Sequence, residues 1–171
     1  MFNGKYFFLS LLLIPSALYA QTNSNCYVQA GMRYNIDPTL IYSIAEQESS
    51  FNPNAINGAN RNGTADYGLM QINSFWLPTL KKFGAKKNHL FDPCYNIHIG
   101  SWILAQSFSK WGYTQNAIGA YNVGFEKTQV KDRLRKAYAE KIQSKYQKNC
   151  RLYGCSYNYR YDHRMYKQSG I

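Results

Sequence analysis

The sequence predicts a mainly α-helical domain that carries a small Asn/Gly-rich β or loop element lining a cleft. Two observations predict this class. Several segments place apolar residues at the spacing of one helix face, which is typical of amphipathic helices packed on a core. Residues 52–68, in contrast, are dense in Asn and Gly, which favour turns and short hairpins.

Four segments are predicted to be helices. Asp37-Pro38 indicates a helix start, because Asp caps free backbone N–H groups and Pro fits the first turn. Apolar residues then follow on one face: Leu40, Ile41, Ile44 and Ala45. The other helices are predicted over residues 94–108, 114–122 and 126–146, the last of them amphipathic and basic.

The first twenty residues predict a secretory signal peptide. Lys5 precedes an apolar run from Tyr6 to Ile14, and the small residue Ala20 ends the segment. This run is too short to span a bilayer, and no later run is long enough. We therefore expect cleavage after Ala20 and a periplasmic or secreted protein without a membrane segment in its mature form.

Removal of residues 1–20 leaves 171 − 20 = 151 residues, enough for one compact domain. We assign this domain to residues 21–148 and expect a monomer. Residues 149–171 form a basic, Tyr-rich tail, which is either an appendage that binds glycan or a partner, or an irregular segment pinned by a disulfide.

All four cysteines lie after the predicted cleavage point, and an even number in an exported chain favours disulfides. Of the three possible pairings we favour Cys26 with Cys94, which staples the N-terminal helix to the later body, and Cys150 with Cys155, which closes a short loop. The histidines show no ligand spacing with the cysteines, so no metal site is expected: His89, His98 and His163.

The predicted mature chain has 19 basic and 9 acidic residues, a net charge of +10. Such a surface favours an anionic partner, although the charge also serves solubility alone. Nucleic acid is not expected, because the chain is predicted to be exported and no nucleic-acid-binding motif is present. The anionic cell wall and membrane surface are the first partners that an exported chain meets.

Glu48 is the candidate acid. It follows Ile44 by four residues and Ile41 by seven, so it lies on their apolar stripe, whereas Glu46 is rotated by roughly 200° toward the polar side. Burial and the negative end of the helix dipole both disfavour a carboxylate there, so the pKa of Glu48 should rise toward neutrality, as a general acid requires. Alternatively, Glu48 caps a neighbouring turn or pairs with a basic residue.

Three fragments in order, "ESSFNPNAIN" (48–57), "GLMQIN" (68–73) and "AYNVG" (120–124), resemble the soluble lytic transglycosylase family, lysozyme-like enzymes that cut peptidoglycan. The resemblance implies an α+β lysozyme-like fold over residues 21–148 and no cofactor. It also implies cleavage of the β-1,4 bond between N-acetylmuramic acid and N-acetylglucosamine, with formation of a 1,6-anhydromuramyl end.

The resemblance also assigns roles to residues. Glu48 is the acid and later the base that accepts the proton of the sugar 6-hydroxyl, and Ser49 orients the glutamate or the sugar, or is a simple polar residue at the helix end. The remaining substrate-binding candidates are Gly68 at a sharp turn, Met70 as an apolar wall, Gln71 toward acetamido groups, Tyr121 as a donor to Glu48 or the sugar, and Asn122.

Asp66 follows Glu48 by eighteen positions, a spacing similar to that of the second carboxylate of animal lysozymes. It is either a catalytic carboxylate, which would open a hydrolytic route, or a turn residue that binds backbone amides.

Within the family, "NRNGTADYGLMQINSFWLP" and "DPCYNI" most resemble specialised transglycosylases that accompany type III secretion, type IV pilus and conjugative transfer systems. A component of such a machine is therefore an expected partner. A noncatalytic wall-binding scaffold is the alternative of a different class.

Overall fold

The computed structural model describes residues 26–60 and 62–155. The predicted signal peptide (1–20) and residues 156–171 of the predicted tail lie outside the described residues. The described chain forms helices α1 (26–34), α2 (Pro38–Ser49), α3 (Leu77–Lys81), α4 (Pro93–Trp111), α5 (Gln115–Val123) and α6 (Gln129–Tyr153). The strands are β1 (Ile56–Asn57), β2 (Asp66–Tyr67) and β3 (Ile72–Asn73).

The predicted start of α2 is confirmed. Asp37 Oδ1 accepts the Thr39 N–H at 2.7 Å, and Pro38 occupies the first helical position. The predicted apolar stripe is fully buried in the core: Leu40, Ile41, Ile44 and Ala45. The helix ends at Ser49, because Ser50 adopts a left-handed conformation with φ of 51°.

The predicted short β element is confirmed as a three-stranded antiparallel sheet in the order β1-β2-β3. Ile56 faces Tyr67 in the first pair of strands, and Asp66 faces Asn73 in the second. Each strand has only two residues, so the sheet relies on its contacts with the helices for stability.

The helices predicted over residues 94–108 and 114–122 correspond to α4 and α5. α6 differs more from its prediction over 126–146. It begins at Gln129, because Thr128 Oγ1 accepts the Lys131 N–H at 3.2 Å, and it continues to Tyr153. The boundary predicted between residues 148 and 149 therefore falls inside this helix.

Glu46 lies on the polar side of α2, as predicted, and joins α2 to α6. Its carboxylate accepts hydrogen bonds from Asn149 Nδ2 at 2.8 Å, Lys148 Nζ at 3.0 Å and Lys145 Nζ at 3.3 Å. Burial by itself raises the pKa of Glu46, but the hydrogen bonds outweigh burial and hold the pKa below its usual value. The sequence periodicity could not show this, because the partners come from a helix about a hundred residues later.

Both favoured disulfides are present: Cys26 is bonded to Cys94, and Cys150 to Cys155. The first links α1 to the start of α4. The second closes the end of α6. No helix of the described chain is both long enough and apolar enough to cross a bilayer.

Asn96 fixes the turn between β2 and β3 against α4. Its buried side chain accepts the Met70 N–H at 2.7 Å and donates to the carbonyl oxygens of Tyr67 at 2.9 Å and Leu90 at 2.7 Å. Gly68 allows this contact, because its φ of +76° suits glycine and a Cβ there would lie 2.2 Å from the Leu90 oxygen.

Replacement of Asn96 by Ala should lower the free energy of unfolding by at least about 3 kcal/mol, because three buried backbone groups each lose a partner. Urea unfolding with both disulfides intact measures the change. Asn88→Ala, at an exposed position, is the control and should shift stability by less than about 0.5 kcal/mol. A comparable loss in the two variants would contradict the role of Asn96.

Candidate functional site

A cleft of about 1050 Å³ separates the small sheet from α4 and α5. Its sheet side is polar and includes Asn57, Asn60, Thr64, Asp66, Gln71 and Asn73. Its helical side is mixed and includes Ile103, Gln106, Ser107, Tyr121, Asn122, Phe125 and Lys131. Glu48 lines the same cleft, so the predicted acid is accessible to a ligand.

Glu48 lies one residue before the end of α2, with its side chain largely shielded from solvent. Burial raises its pKa, a hydrogen bond from the Tyr138 hydroxyl lowers it, and the charge of Asp66 raises it, with a resulting pKa of about 7. The direction agrees with the sequence expectation. A carboxyl group with this pKa is present in both protonation states near neutral pH, so it can donate a proton and take one back.

Tyr138 is the partner of Glu48 that the sequence analysis missed. It lies on α6, ninety residues after Glu48, and its buried hydroxyl donates to Glu48 Oε1. Burial, and then the neighbouring charge of Glu48, raise the pKa of the Tyr138 hydroxyl well above its usual value, so it stays a donor. The signal in the sequence was limited to a tyrosine on the apolar stripe of a basic helix.

Tyr121 does not bind Glu48, which corrects one of its two predicted roles. Its hydroxyl donates to the Met70 carbonyl oxygen at 2.7 Å, while its side chain still lines the cleft. Tyr121 therefore braces the turn between β2 and β3 from the helical side. Asn122, the next residue, is exposed at the cleft, where its amide is accessible to a ligand.

Ser49 and Met70 are placed differently from their predicted roles. Ser49 Oγ donates to the Leu69 carbonyl oxygen at 2.7 Å, so it ties the end of α2 to the turn between β2 and β3. Met70 is fully buried and packs against Gly100, where a Cβ would lie 2.5 Å from the methionine sulfur. These residues and Gly68 support the turn between β2 and β3 from the core side and are not part of the cleft lining.

Gln71 lines the cleft as predicted, but its donors are already used. Its Nε2 donates to the carbonyl oxygens of Gly68 at 2.9 Å and Ala55 at 3.3 Å. The side-chain oxygen is therefore the group that Gln71 offers to a ligand. The backbone at Gln71 has a φ of 49°, so its orientation is set by the tight turn.

Asp66 faces the cleft within a cage of side-chain amides. Asn73 Nδ2 donates to it at 2.6 Å, Asn60 Nδ2 at 2.8 Å and Asn57 Nδ2 at 3.2 Å. The turn interpretation predicted backbone amides as partners, and the observed donors are instead three side chains. The cage fixes the orientation of the carboxylate, and the Asp66 charge acts on the pKa of Glu48.

Gln106 is a second cleft residue that the sequence analysis did not identify. Its Nε2 is buried and has no hydrogen-bond acceptor among residues 26–60 and 62–155. An unpaired buried donor favours a ligand that supplies an acceptor, such as a carbonyl group. Gln106 lies within α4 and outside any recognised motif, so the sequence did not indicate a role for it.

The described residues contain no group of three or more His, Cys, Asp or Glu side chains arranged to hold a metal ion. His98 packs against Tyr34, and burial together with the charge of Arg33 lowers its pKa. The chemical groups of the cleft are therefore carboxyl, amide, hydroxyl and ammonium side chains.

Residues 25–145 match the family model described as "Transglycosylase SLT domain". The chain is 42% identical over 144 residues to "Invasion protein IagB" of Salmonella typhimurium, which covers 84% of this chain and 87% of that protein. It is 38% identical over 144 residues to "Protein IpgF" of Shigella flexneri, which covers 84% of this chain and 90% of that protein.

Among solved structures, the fold is similar to that of an inactive mutant of lytic transglycosylase Slt from Pseudomonas aeruginosa, with a TM-score of 0.60 and 24% identity. The match covers 75% of this chain and 24% of that chain, so this chain spans about a quarter of the larger protein.

Replacement of Tyr138 by Phe should raise the pKa of Glu48 above its value of about 7. The substitution removes a hydrogen bond that stabilises the ionised carboxylate. NMR titration of ¹³C-labelled glutamate side chains measures both proteins. Tyr95→Phe, at a tyrosine outside the cleft lining, should leave the midpoint unchanged. A Glu48 midpoint near 4.5 in the unsubstituted protein, or a lower midpoint after Tyr138→Phe, would contradict the site described.

Proposed function

This chain belongs to the transglycosylase SLT domain family of lytic transglycosylases, and we propose that it cleaves peptidoglycan glycan strands through Glu48. The bond cut is the β-1,4 linkage between N-acetylmuramic acid and N-acetylglucosamine, and the product carries a 1,6-anhydromuramyl end. The observation that carries the proposal is a carboxyl group with a pKa of about 7 that lines the cleft.

The reaction uses the carboxyl group of Glu48 twice, first as an acid and then as a base. Protonated Glu48 donates to the glycosidic oxygen, the C1–O bond breaks, and N-acetylglucosamine leaves with a new hydroxyl. Glu48, now ionised, accepts the proton of the muramic acid 6-hydroxyl, whose oxygen forms the bond to C1 and closes the anhydro ring. The hydrogen bond from Tyr138 stabilises the ionised carboxylate between the two steps.

Asp66 contributes negative charge to the other side of the cleft. Its amide cage holds the carboxylate toward the ligand space, where it stabilises the positive charge that develops at C1. The same carboxylate supports a second candidate function, a lysozyme-type hydrolase in which water replaces the 6-hydroxyl. The two functions differ in their products.

Side chains near these two carboxyl groups can form hydrogen bonds with the substrate. The free oxygen of Gln71 and the unpaired Gln106 Nε2 offer an acceptor and a donor for the acetamido groups of the sugars. Asn122 adds an exposed amide. Four residues affect substrate binding indirectly, because they shape the turn that presents Gln71: Gly68, Ser49, Met70 and Tyr121.

The proposed setting is the periplasm, where the enzyme works as a monomer and locally opens the wall for a secretion, pilus or conjugation apparatus. The predicted signal peptide and the similarity to "Invasion protein IagB" support this setting. The proposed domain covers residues 21–148, with α6 extending its fold to Tyr153. A noncatalytic scaffold is the competing role.

Replacement of Glu48 by Gln should lower the rate of peptidoglycan cleavage roughly 10²- to 10⁴-fold, because the shape is kept and the transferable proton is lost. Mass spectrometry of released muropeptides measures both rate and product. Anhydro ends support the proposal, and reducing ends support the hydrolase. Glu140→Gln, at an exposed position on α6, should cleave normally, and undiminished cleavage by Glu48→Gln would refute the assignment of the acid.

Replacement of Asp66 by Asn should lower kcat by at least about tenfold, because the stabilising charge at the transition state is lost. It should also lower the pKa of Glu48, because the Asp66 charge raises that pKa, so the alkaline limb of the pH profile moves to lower pH. Asp92→Asn, at a carboxylate outside the cleft lining, is the control for both readouts. An unchanged kcat would leave Asp66 with a structural role only.

A further inference from the structure

Lys131 is the only basic residue among the described residues that line the cleft. Its side chain is half-buried, and none of the ion pairs in the described part of the chain includes its ammonium group. The other charged groups of the cleft lining are the carboxyl groups of Glu48 and Asp66. A cation without a protein anion therefore borders the space that the substrate occupies.

The position of Lys131 on α6 explains why it faces inward. Arg135, Tyr138 and Ile142 follow it by four, seven and eleven residues, and all three are buried. Lys131 is the first residue on this inward stripe of α6. Its Cα lies roughly 10 Å along the helix axis from Tyr138, the residue that contacts Glu48.

The contacts that stabilise this region do not use the Lys131 ammonium. Arg135 pairs with Asp132 and donates to the carbonyl oxygens of Gly124 at 2.8 Å and Glu126 at 2.9 Å, which fixes the chain between α5 and α6. A cation in the first turn of a helix is disfavoured by the helix dipole, and partial burial of an ammonium group costs free energy. A carboxylate that enters the cleft would offset both costs.

The sugars of a glycan strand are uncharged. The anionic groups of the strand are attached through the lactyl arm of muramic acid. They are the carboxylates of the stem peptide or, after the peptide is removed, the lactyl carboxylate itself. The Lys131 and Tyr138 Cα atoms are separated by roughly 10 Å along α6, and the stem peptide carries its carboxylates farther from the cleaved bond than the lactyl carboxylate lies, because each extended residue adds about 3.3–3.6 Å. This length favours the stem peptide as the source of the anion.

We propose that Lys131 binds a stem-peptide carboxylate, so that the enzyme prefers glycan strands that still carry their peptides. This inference rests on the proposed peptidoglycan substrate and adds a specificity residue outside the acid–base machinery. The ion pair is partly solvated and holds the substrate in the same way before and during bond cleavage. Its loss should therefore change KM more than kcat.

The test compares the wild type with Lys131→Met and Lys131→Arg on three soluble substrates. These are uncrosslinked strands with stem peptides, strands stripped by an amidase so that lactyl carboxylates are free, and stripped strands whose lactyl carboxylates are converted to methylamides. Lys136→Met, at an exposed lysine of the same helix outside the cleft lining, is the matched control. The melting temperature of each variant reports on folding.

Lys131→Met should raise KM for peptide-bearing strands roughly three- to tenfold while kcat stays within about twofold. KM for both stripped substrates should stay unchanged, and Lys131→Arg should behave like the wild type. The preference of the wild type for peptide-bearing strands should weaken as salt is raised, which tests the ion pair without any substitution.

An equal rise in KM on all three substrates would overturn the proposal, because it would indicate a structural role for Lys131. A rise on strands with free lactyl carboxylates that disappears after amidation would overturn the stem-peptide assignment in favour of the lactyl group. No rise on any substrate would also overturn it. Binding of the same strands to proteins that carry Glu48→Gln repeats the comparison without cleavage, so failure of the proposed reaction is seen separately.

Discussion

A buried carboxamide, that of Asn96, sets the shape of the cleft. Its three hydrogen bonds go to the buried backbone groups of Met70, Tyr67 and Leu90, and a backbone group left unpaired in the interior costs about 1–3 kcal/mol. The turn between β2 and β3 is thereby fixed to α4. Because the turn is fixed, the Met70 carbonyl oxygen meets the Tyr121 hydroxyl and Gln71 is presented to the cleft. The polar wall of the site thus depends on a fully buried residue outside the cleft lining.

The acid of the site depends on a balance of opposing effects. Burial alone favours protonated Glu48, the Tyr138 hydroxyl favours its ionised form, and the charge of Asp66 favours protonation again. A carboxyl group that is only buried would hold its proton too tightly to donate it readily in the first half of the reaction. The Tyr138 hydrogen bond lowers the pKa and so opposes the effect of burial. Tyr138 lies on α6, whereas the acid lies on α2.

The sequence predicted the features that depend on local physics. The cap at Asp37, the buried stripe of α2 and the rise in the Glu48 pKa follow from periodicity and burial along one helix. Tyr138 could not be predicted as the partner of Glu48, because a contact across ninety residues depends on how α2 and α6 pack. The partners of Glu46 could not be predicted for the same reason, since periodicity defines a polar face but not the helix that covers it.

The motif "GLMQIN" illustrates a different limit. Its letters indicated a wall of the site, yet Met70 is buried, and the amide nitrogen of Gln71 is used within the turn. A motif shows which residue types occur together and not which atoms are left free. Gln106 shows the converse, because it lies on an ordinary helix and leaves a buried donor unpaired in the cleft.

α6 contributes Tyr138, the partners of Glu46 and the inward-facing Lys131, and it is the last helix of the described chain. During synthesis, residues 26–128 therefore emerge with the acid, the sheet and the amide cage before the hydroxyl that tunes the acid exists. A polypeptide that ends before α6 lacks both the Tyr138 hydrogen bond to Glu48 and the helix that covers α2. Competence of the site therefore begins only once α6 has been synthesised and has packed against α2.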